Sequence, residues 1–473
     1  MRFIQATILT LLIGISSANA QYDIRFKVNG LSAGDECILA HYYADKNKVI
    51  DTAAVDNQGY VKYQGEGKLL NGVYILVLPQ KSYLELIVPN DDQDFTIEFD
   101  TTLSPLKKSS TGSLDNQLFI EFDKFSVAPG SKKRALIKDY RACVDDSCKQ
   151  RIKEEVEALD NEIDVKRKEI IANYPNTFTA KLFKPILEIE IPEDLKGDKT
   201  GKAYAYYKKH FWDSFDLSDD GLLRTPIFQG KLEYYITKVV LQDPDTLILA
   251  IDDLLSRIEA GGAMDMFKYV VWWNTNHHEE SERICMDKVL YHIAKNYYLK
   301  GKCEWADSTT IANMTDYIKK AKNIQCGSIA PNMKLVDTTY LRSVELYKIK
   351  YPVTIVVFWS HTCGHCKEEI PKLKQMYDSL HDKGVEIYAV YTGSDVTGWK
   401  KYIRENKLTW LNLVDAHNNS TYKKDYNQVK TPEVFLLDQH KTIKYKNPPA
   451  ENVGKIVEMM LEEHNKETAD TPK

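Results

Sequence analysis

The feature that most restricts the fold is a nearly unbroken apolar run, Val353 to Trp359, followed at once by Cys363-Gly364-His365-Cys366 and a helical-looking stretch from Lys367 to Asp382. A run of that length and composition reads as a central strand buried on both faces, so helices must cover both sides of its sheet. The cysteines then fall where the strand hands over to the helix. Free amides and the positive end of the helix dipole favour a thiolate at Cys363, and two intervening residues hold Cys366 close enough to close a small ring with it. Thiol–disulfide exchange needs this arrangement.

Other uses of a Cys-x-x-Cys fit less well. A structural zinc site needs four ligands; there is no second such pair, and His361 and His365 lie too close along the chain to complete a tetrahedron easily. Haem attachment needs His directly after the second cysteine, where Lys367 stands. A four-residue ring is strained, and strain makes a disulfide labile. No metal or other cofactor is expected.

The first twenty residues carry Arg2, an apolar stretch from Ile8 to Ile15, and Ala18-Asn19-Ala20 before Gln21. This is the pattern of a secretory signal peptide cleaved after Ala20. No other stretch approaches about 18 apolar residues, so stable membrane insertion is not expected. A Lys-Asp-Glu-Leu ending is absent from the C-terminus, which makes a periplasmic or secreted location the expectation. Sixty-three basic and 68 acidic residues give a formal net charge of −5 without a sustained basic stripe, which argues against nucleic acid as a partner.

A chain of 473 residues suggests about three domains beyond the signal peptide (1–20). Residues 21–125 alternate with period two, with strands expected at Ile24–Val28, Cys37–Tyr43, Val49–Val55, Tyr60–Tyr63, Val73–Leu78, Tyr83–Val88 and Phe95–Phe99. They predict an antiparallel β-sandwich in which Asp56-Asn57-Gln58-Gly59 forms a hairpin turn. Residues 126–325 change to a helical period, as in Ile152, Val156, Leu159 and Ile163, which predicts an all-α domain. Helices are expected at Ala203–Ser214, Thr225–Val240, Thr246–Ala260, Met264–Trp273, Ser281–Tyr298 and Ser308–Ala321. His277-His278 does not read as a metal site, because adjacent side chains on a helix point about 100° apart.

Residues 326–473 alternate strands and helices. Strands are expected at Val344–Ile349, Val353–Trp359, Val385–Tyr391, Trp410–Val414, Glu433–Leu437 and Thr442–Tyr445, the last two forming an antiparallel hairpin. This predicts an α/β sheet covered on both faces. A final helix is expected at Asn452–Glu463, with a disordered polar tail from about Asn465.

The segment Phe358 to Pro371, with Phe358-Trp359, the Cys-x-x-Cys, Glu369 and Pro371, resembles the active-site segment of thioredoxin-fold proteins, and within them the TlpA/ResA-like periplasmic thiol–disulfide oxidoreductases. Ala330-Pro331, Thr431-Pro432 and Phe435-Leu436-Leu437-Asp438 carry the resemblance further, over about residues 329–464. The three-domain order is similar to multidomain envelope proteins of Bacteroidota. The resemblance implies that Cys363 attacks and Cys366 resolves. It also implies that Pro432 is cis, that Thr431 and Pro432 bind an extended substrate segment together with Trp359, and that Glu369 moves a proton for Cys366. Val357 stands where thioredoxins keep a buried Asp, and Thr362 where the family usually has Trp. Gly-His between the cysteines matches protein disulfide isomerase; the His365 imidazolium is expected to bring the couple nearer to about −180 mV than to about −270 mV.

Disulfide-containing client proteins and an upstream thiol donor or acceptor are the partners implied. A binding or assembly protein using the redox domain as a scaffold is the alternative, and a peroxidase is disfavoured because Thr-x-x-Cys is absent. Of the remaining cysteines, Cys143 and Cys148 flank a turn-like Asp145-Asp146-Ser147 and are expected to pair, with no helix start evident beside them. They are also the chief rival for a second redox site.

Overall fold

The computed structural model describes residues 21–281 and 283–469. The expected signal peptide, residues 1–20, lies outside them, as does the end of the tail. The chain divides into two compact units, one running through Val240 together with Leu254–Phe267, the other comprising Leu241–Asp253 and Lys268 onward.

The first unit opens with strands β1 (Tyr22–Asn29), β2 (Glu36–Tyr43), β3 (Lys46–Ala54), β4 (Tyr60–Gly65), β5 (Gly72–Val77), β6 (Tyr83–Val88), β7 (Asp94–Asp100) and the short β8 (Ser109–Thr111). They form two four-stranded sheets, β4-β1-β7-β8 and β3-β2-β5-β6. The period-two pattern sends Ile24, Phe26, Val28, Phe95, Ile97 and Phe99 into one core with Leu39, Leu76 and Leu86. A sandwich is therefore what the alternation builds. Two local expectations change. Strand β1 runs parallel to β7, Ile24 opposite Phe95. The Asp56–Gly59 turn, with Asp56 Oδ1 accepting from the Gln58 and Tyr60 amides at 2.8 Å, carries the chain from one sheet to the other instead of closing a hairpin.

Helix α1 (Leu114–Ala142) begins inside the segment assigned to the sandwich, and α2 (Asp146–Asn173) follows it. Buried Asn116 explains the early start: its Oδ1 accepts from the Ile87 amide at 2.8 Å and its Nδ2 donates to the Ile87 carbonyl at 2.7 Å, satisfying the outer side of β6. Beyond α3 (Phe178–Phe183), α4 (Lys202–His210) and α5 (Phe228–Tyr234), helices α6 (Pro244–Gly261) and α7 (Met264–Glu279) lead to α8 (Asp287–Ile293) and α9 (Ser308–Ala321). The expected helix Ser281–Tyr298 is shorter at its start, because Cys285 has a positive φ of 64°, and it ends in a π-helical turn over Ala294–Tyr298.

The C-terminal sheet contains β9 (Lys334–Asp337), β10 (Ser343–Glu345), β11 (Val353–Trp359), β12 (Val385–Tyr391), β13 (Leu411–Val414), β14 (Glu433–Leu437) and β15 (Ile443–Lys446), in the order β10-β9-β13-β12-β11-β14-β15. Strand β11 is central, parallel to β12 and antiparallel to β14, and every residue in it is buried. One face packs on α10 (Gly364–Leu380), α11 (Val396–Glu405) and α13 (Ala450–Ala469) through Ile370, Leu373, Trp399, Val453 and Val457. The other face is closed by Tyr422 of α12 (Tyr422–Asp425), Tyr426 and Ile324. Sequence reading missed β9, and the expected strand Val344–Ile349 reduces to β10 followed by a 3-10 turn at Leu346–Lys348. The tail expected to be disordered from Asn465 continues α13 to Ala469.

Candidate active site

Strand β11 ends at Trp359, and the next turn points the first cysteine at the start of a helix. Ser360 Oγ and Thr362 Oγ1 lie 2.9 Å apart, and the Cys363 amide donates to the Ser360 carbonyl at 3.2 Å. Cys363 is the N-cap of α10, with extended backbone (φ −76°, ψ 129°), and its carbonyl accepts from the Lys367 amide. Its sulfur thereby faces amides that have no partner within the helix. Cys363 is partly exposed, whereas Cys366, one turn in, is 1% exposed; the pair is present as free thiols.

The two sulfurs differ in acidity. Burial raises Cys363, but hydrogen bonds from the Thr431 side chain, the Cys366 amide and thiol, and the His365 amide outweigh it, so this thiol lies below its ordinary value. Burial dominates at Cys366 and pushes it up to about 12. Cys363 is thus the sulfur more readily ionised, and Cys366 the one held protonated.

The Thr431–Pro432 peptide is cis, and the Thr431 carbonyl lies 3.2 Å from Cys363 Sγ, so loop and nucleophile are brought together. His365 is solvent-exposed, and its backbone amide is among the groups that lower Cys363. Glu369 sits on α10 one turn after Cys366, with its Oε1 3.4 Å from Lys372 Nζ. Trp359 departs from expectation: it is fully buried between the rings of Tyr391 and Tyr402, and strand alternation points it into the core, so it cannot contact a substrate.

Two groups near the dithiol escaped sequence reading. Glu433, directly after Pro432, is 5% exposed and its Oε2 has no hydrogen-bond partner among the described residues. Burial pushes its carboxyl up to about 7, against the opposing pull of Lys446, Lys430 and Asn447. The only signal was a charged residue opening the otherwise apolar Val434-Phe435-Leu436-Leu437. The other group is His361, whose ring lies against Tyr391 and Asp395.

The other cysteines separate cleanly. Cys143 and Cys148 are disulfide-bonded, as are Cys285 and Cys326, while Cys37 and Cys303 are buried thiols. The expectation that no helix start adjoins Cys143 and Cys148 fails: Asp145 caps α2 and accepts from the Cys148 amide at 2.8 Å. Among the described residues no group of three or more His, Cys, Asp or Glu side chains could hold a metal ion, and no helix is long and apolar enough to cross a membrane. His278 is buried, and burial lowers its ring to about 4.

Residues 326–446 match the AhpC/TSA family, and residues 147–321 match a domain of unknown function, DUF5106. Thiol-disulfide oxidoreductase ResA of Bacillus cereus (strain ATCC 10987 / NRS 248) is 24% identical over 151 residues, which are 32% of this chain and 78% of that protein. ResA of Bacillus subtilis (strain 168) is 28% identical over 117 residues, 25% of this chain and 64% of that protein. Among solved structures, a domain of a possible thiol-disulfide isomerase from Cytophaga hutchinsonii is 33% identical, covering 31% of this chain and 97% of that one at a TM-score of 0.28. A thioredoxin-like protein from Bacteroides caccae is 17% identical, covering 58% of this chain and 98% of that one at a TM-score of 0.44. The C-terminal region is a thioredoxin-like domain whose curated relatives are named thiol-disulfide oxidoreductases.

Proposed function

We propose that this chain, with its thioredoxin-like domain, acts in the periplasm or outside the cell to reduce or isomerise disulfides in client proteins. The Cys363 thiolate attacks one sulfur of a client disulfide; the S–S bond breaks, the second client sulfur leaves as a thiolate, and a mixed disulfide forms. Cys366 then loses its proton and attacks Cys363 Sγ, releasing the client thiol and leaving a Cys363–Cys366 disulfide. Two electrons have moved to the client, and an upstream thiol donor restores the dithiol. The observation that carries this reading is the Cys363 sulfur, placed at a helix start 3.2 Å from the Thr431 carbonyl and backed by a buried partner.

In this reading Thr431 and Pro432 hold the client's extended backbone beside the reacting sulfurs, and Glu369 carries the proton to and from Cys366. The expected result is that the mature protein reduces insulin, with Cys363 alkylating at a midpoint well below the free-thiol value of about 8.5. Insulin left intact alongside a midpoint near 8.5 overturns the reading. Glu369→Gln is expected to slow exchange several-fold at pH 7 without changing the fold; equal rates from pH 6 to 9 would leave Glu369 as a surface partner of Lys372.

A further inference from the structure

Among the described residues two disulfides lie outside the dithiol, and their backbones set them apart. Cys143–Cys148 closes the tip between α1 and α2 over a sequence separation of 5, whereas Cys285–Cys326 spans a separation of 41. All four cysteines are partly buried, so their own exposure does not rank them. Their neighbours do. Residues 144–147 are all exposed, Val144 at 96%, while Met286 and Gln325, next to the second bond, are buried.

Cys143 has extended backbone where α1 ends (φ −64°, ψ 129°), and Asp145 is extended again before α2 begins (φ −110°, ψ 159°). The Cys143 side of the bond therefore offers open, extended chain, the form that pairs main chain to main chain with a loop such as Thr431–Pro432. Cys148 lies in the first turn of α2 with its amide taken by Asp145, and offers helical backbone instead. The second bond has neither freedom. Cys285 is left-handed (φ 64°) with its sulfur 3.6 Å from the Lys444 carbonyl, and Gly327, just after Cys326, already donates to the Ile443 carbonyl of β15 at 2.8 Å.

Opening the Cys143–Cys148 bond leaves the hairpin standing. Lys133 of α1 donates to Asp160 Oδ2 of α2 at 2.7 Å, and Lys166 of α2 donates to Glu121 of α1 at 2.9 Å. So short a ring also restrains the unfolded chain less than the longer one does, and its loss costs less.

We infer that Cys143–Cys148 is a second exchange site, an internal client of the Cys363–Cys366 dithiol. This rests on the thiol-exchange reading. The Cys363 thiolate attacks Cys143 Sγ; the Cys143–Cys148 bond breaks, and Cys148 leaves as a thiolate that takes up a proton. Cys366 then gives up its proton and attacks Cys363 Sγ, which frees the Cys143 thiolate. Two electrons pass to the hairpin, which ends as a dithiol, and a Cys363–Cys366 disulfide remains. The balance is the same within one chain or between two copies.

Treating the fully oxidised mature chain with dilute dithiothreitol at pH 7, then acid-quenching, alkylating and peptide-mapping it over time, tests this without any client protein. The Cys143–Cys148 bond is expected to open at least about tenfold faster in the unaltered protein than in Cys363→Ser, because Cys363 relays the reductant. Cys285–Cys326 should open at one slow rate in both, which also reports that the variant is folded. Early samples of Cys366→Ala should hold Cys363 joined to Cys143, with Cys148 alkylated. Equal hairpin rates in the two proteins, equal acceleration of both bonds, or a crosslink to Cys148 in place of Cys143 overturns the inference. Insulin left intact while the hairpin opens at the faster rate would count against the external clients alone. Insulin reduced with the hairpin rate unaffected would overturn this inference alone.

Discussion

Replacing Cys363 with serine is expected to lower insulin reduction by at least about a thousandfold while leaving the fold intact, because a serine hydroxyl is not ionised at neutral pH and is a poor nucleophile toward sulfur. Cys366 cannot take over. With its thiol pushed up to about 12, its thiolate fraction at pH 7 is about one in 10⁵, and it is 1% exposed. Cys366→Ala should behave differently: attack proceeds, resolution fails, and mixed disulfides with clients accumulate at Cys363. Intact-mass analysis of the two variants after exposure to oxidised insulin distinguishes them. The absence of mixed disulfide in Cys366→Ala, or its equal accumulation in Cys363→Ser, would mean that the sulfurs do not have the separate roles assigned to them.

The second large effect concerns stability. Glu433 is 5% exposed and its carboxyl is raised to about 7, where an unfolded chain would have an ordinary glutamate near 4.5. Below about 4.5 both states are protonated and nothing is lost. Between about 4.5 and 7 the unfolded state ionises while the folded state holds its proton, so folding stability falls as pH rises; above 7 the penalty is constant. Glu433→Gln removes this penalty, since a neutral amide is cheaper to bury than a carboxylate. The variant should be more stable by about 2–3 kcal/mol at pH 8 and nearly unchanged at pH 4. Hydrogen-exchange protection of β11 and β14, corrected for intrinsic rates at pH 5.5 and 8, measures it. Protection that declines equally in both proteins would show that Glu433 stays ionised in the folded state.

What could be read from the sequence follows the range of the interactions involved. The β11 run, the Cys363–Cys366 spacing and the alternation of Phe95, Ile97 and Phe99 are local, and local periodicity carries the core with it. The parallel pairing of β1 with β7 is set by how two distant strands share one core, and no local pattern encodes it. The Asp56–Gly59 turn has the same hydrogen bonds whether the strands it joins pair or part, so its composition could not distinguish a hairpin from a crossing between sheets. At the site, covalent spacing exposed both cysteines. His361 and Asp395 meet only because β11 and β12 lie side by side, and Glu433 is remarkable only once it is known to be buried. Trp359 misled for the converse reason: the resemblance implied a substrate contact, but strand geometry turns its ring inward.

The pairing of Cys285 with Cys326 steps over the buried thiol of Cys303. A chain that meets oxidant from its N-terminal end presents Cys285 and Cys303 before Cys326 arrives, so the first crosslink available there is a non-native one. In an oxidising compartment such a bond would have to be reshuffled before Cys285 could pair with Cys326. Oxidised in the absence of an isomerase, the chain should accumulate a Cys285–Cys303 bond detectable by peptide mapping. Cys303→Ala should remove the need for reshuffling, and native pairing at equal yield with and without isomerase would show that the chain finds Cys326 unaided.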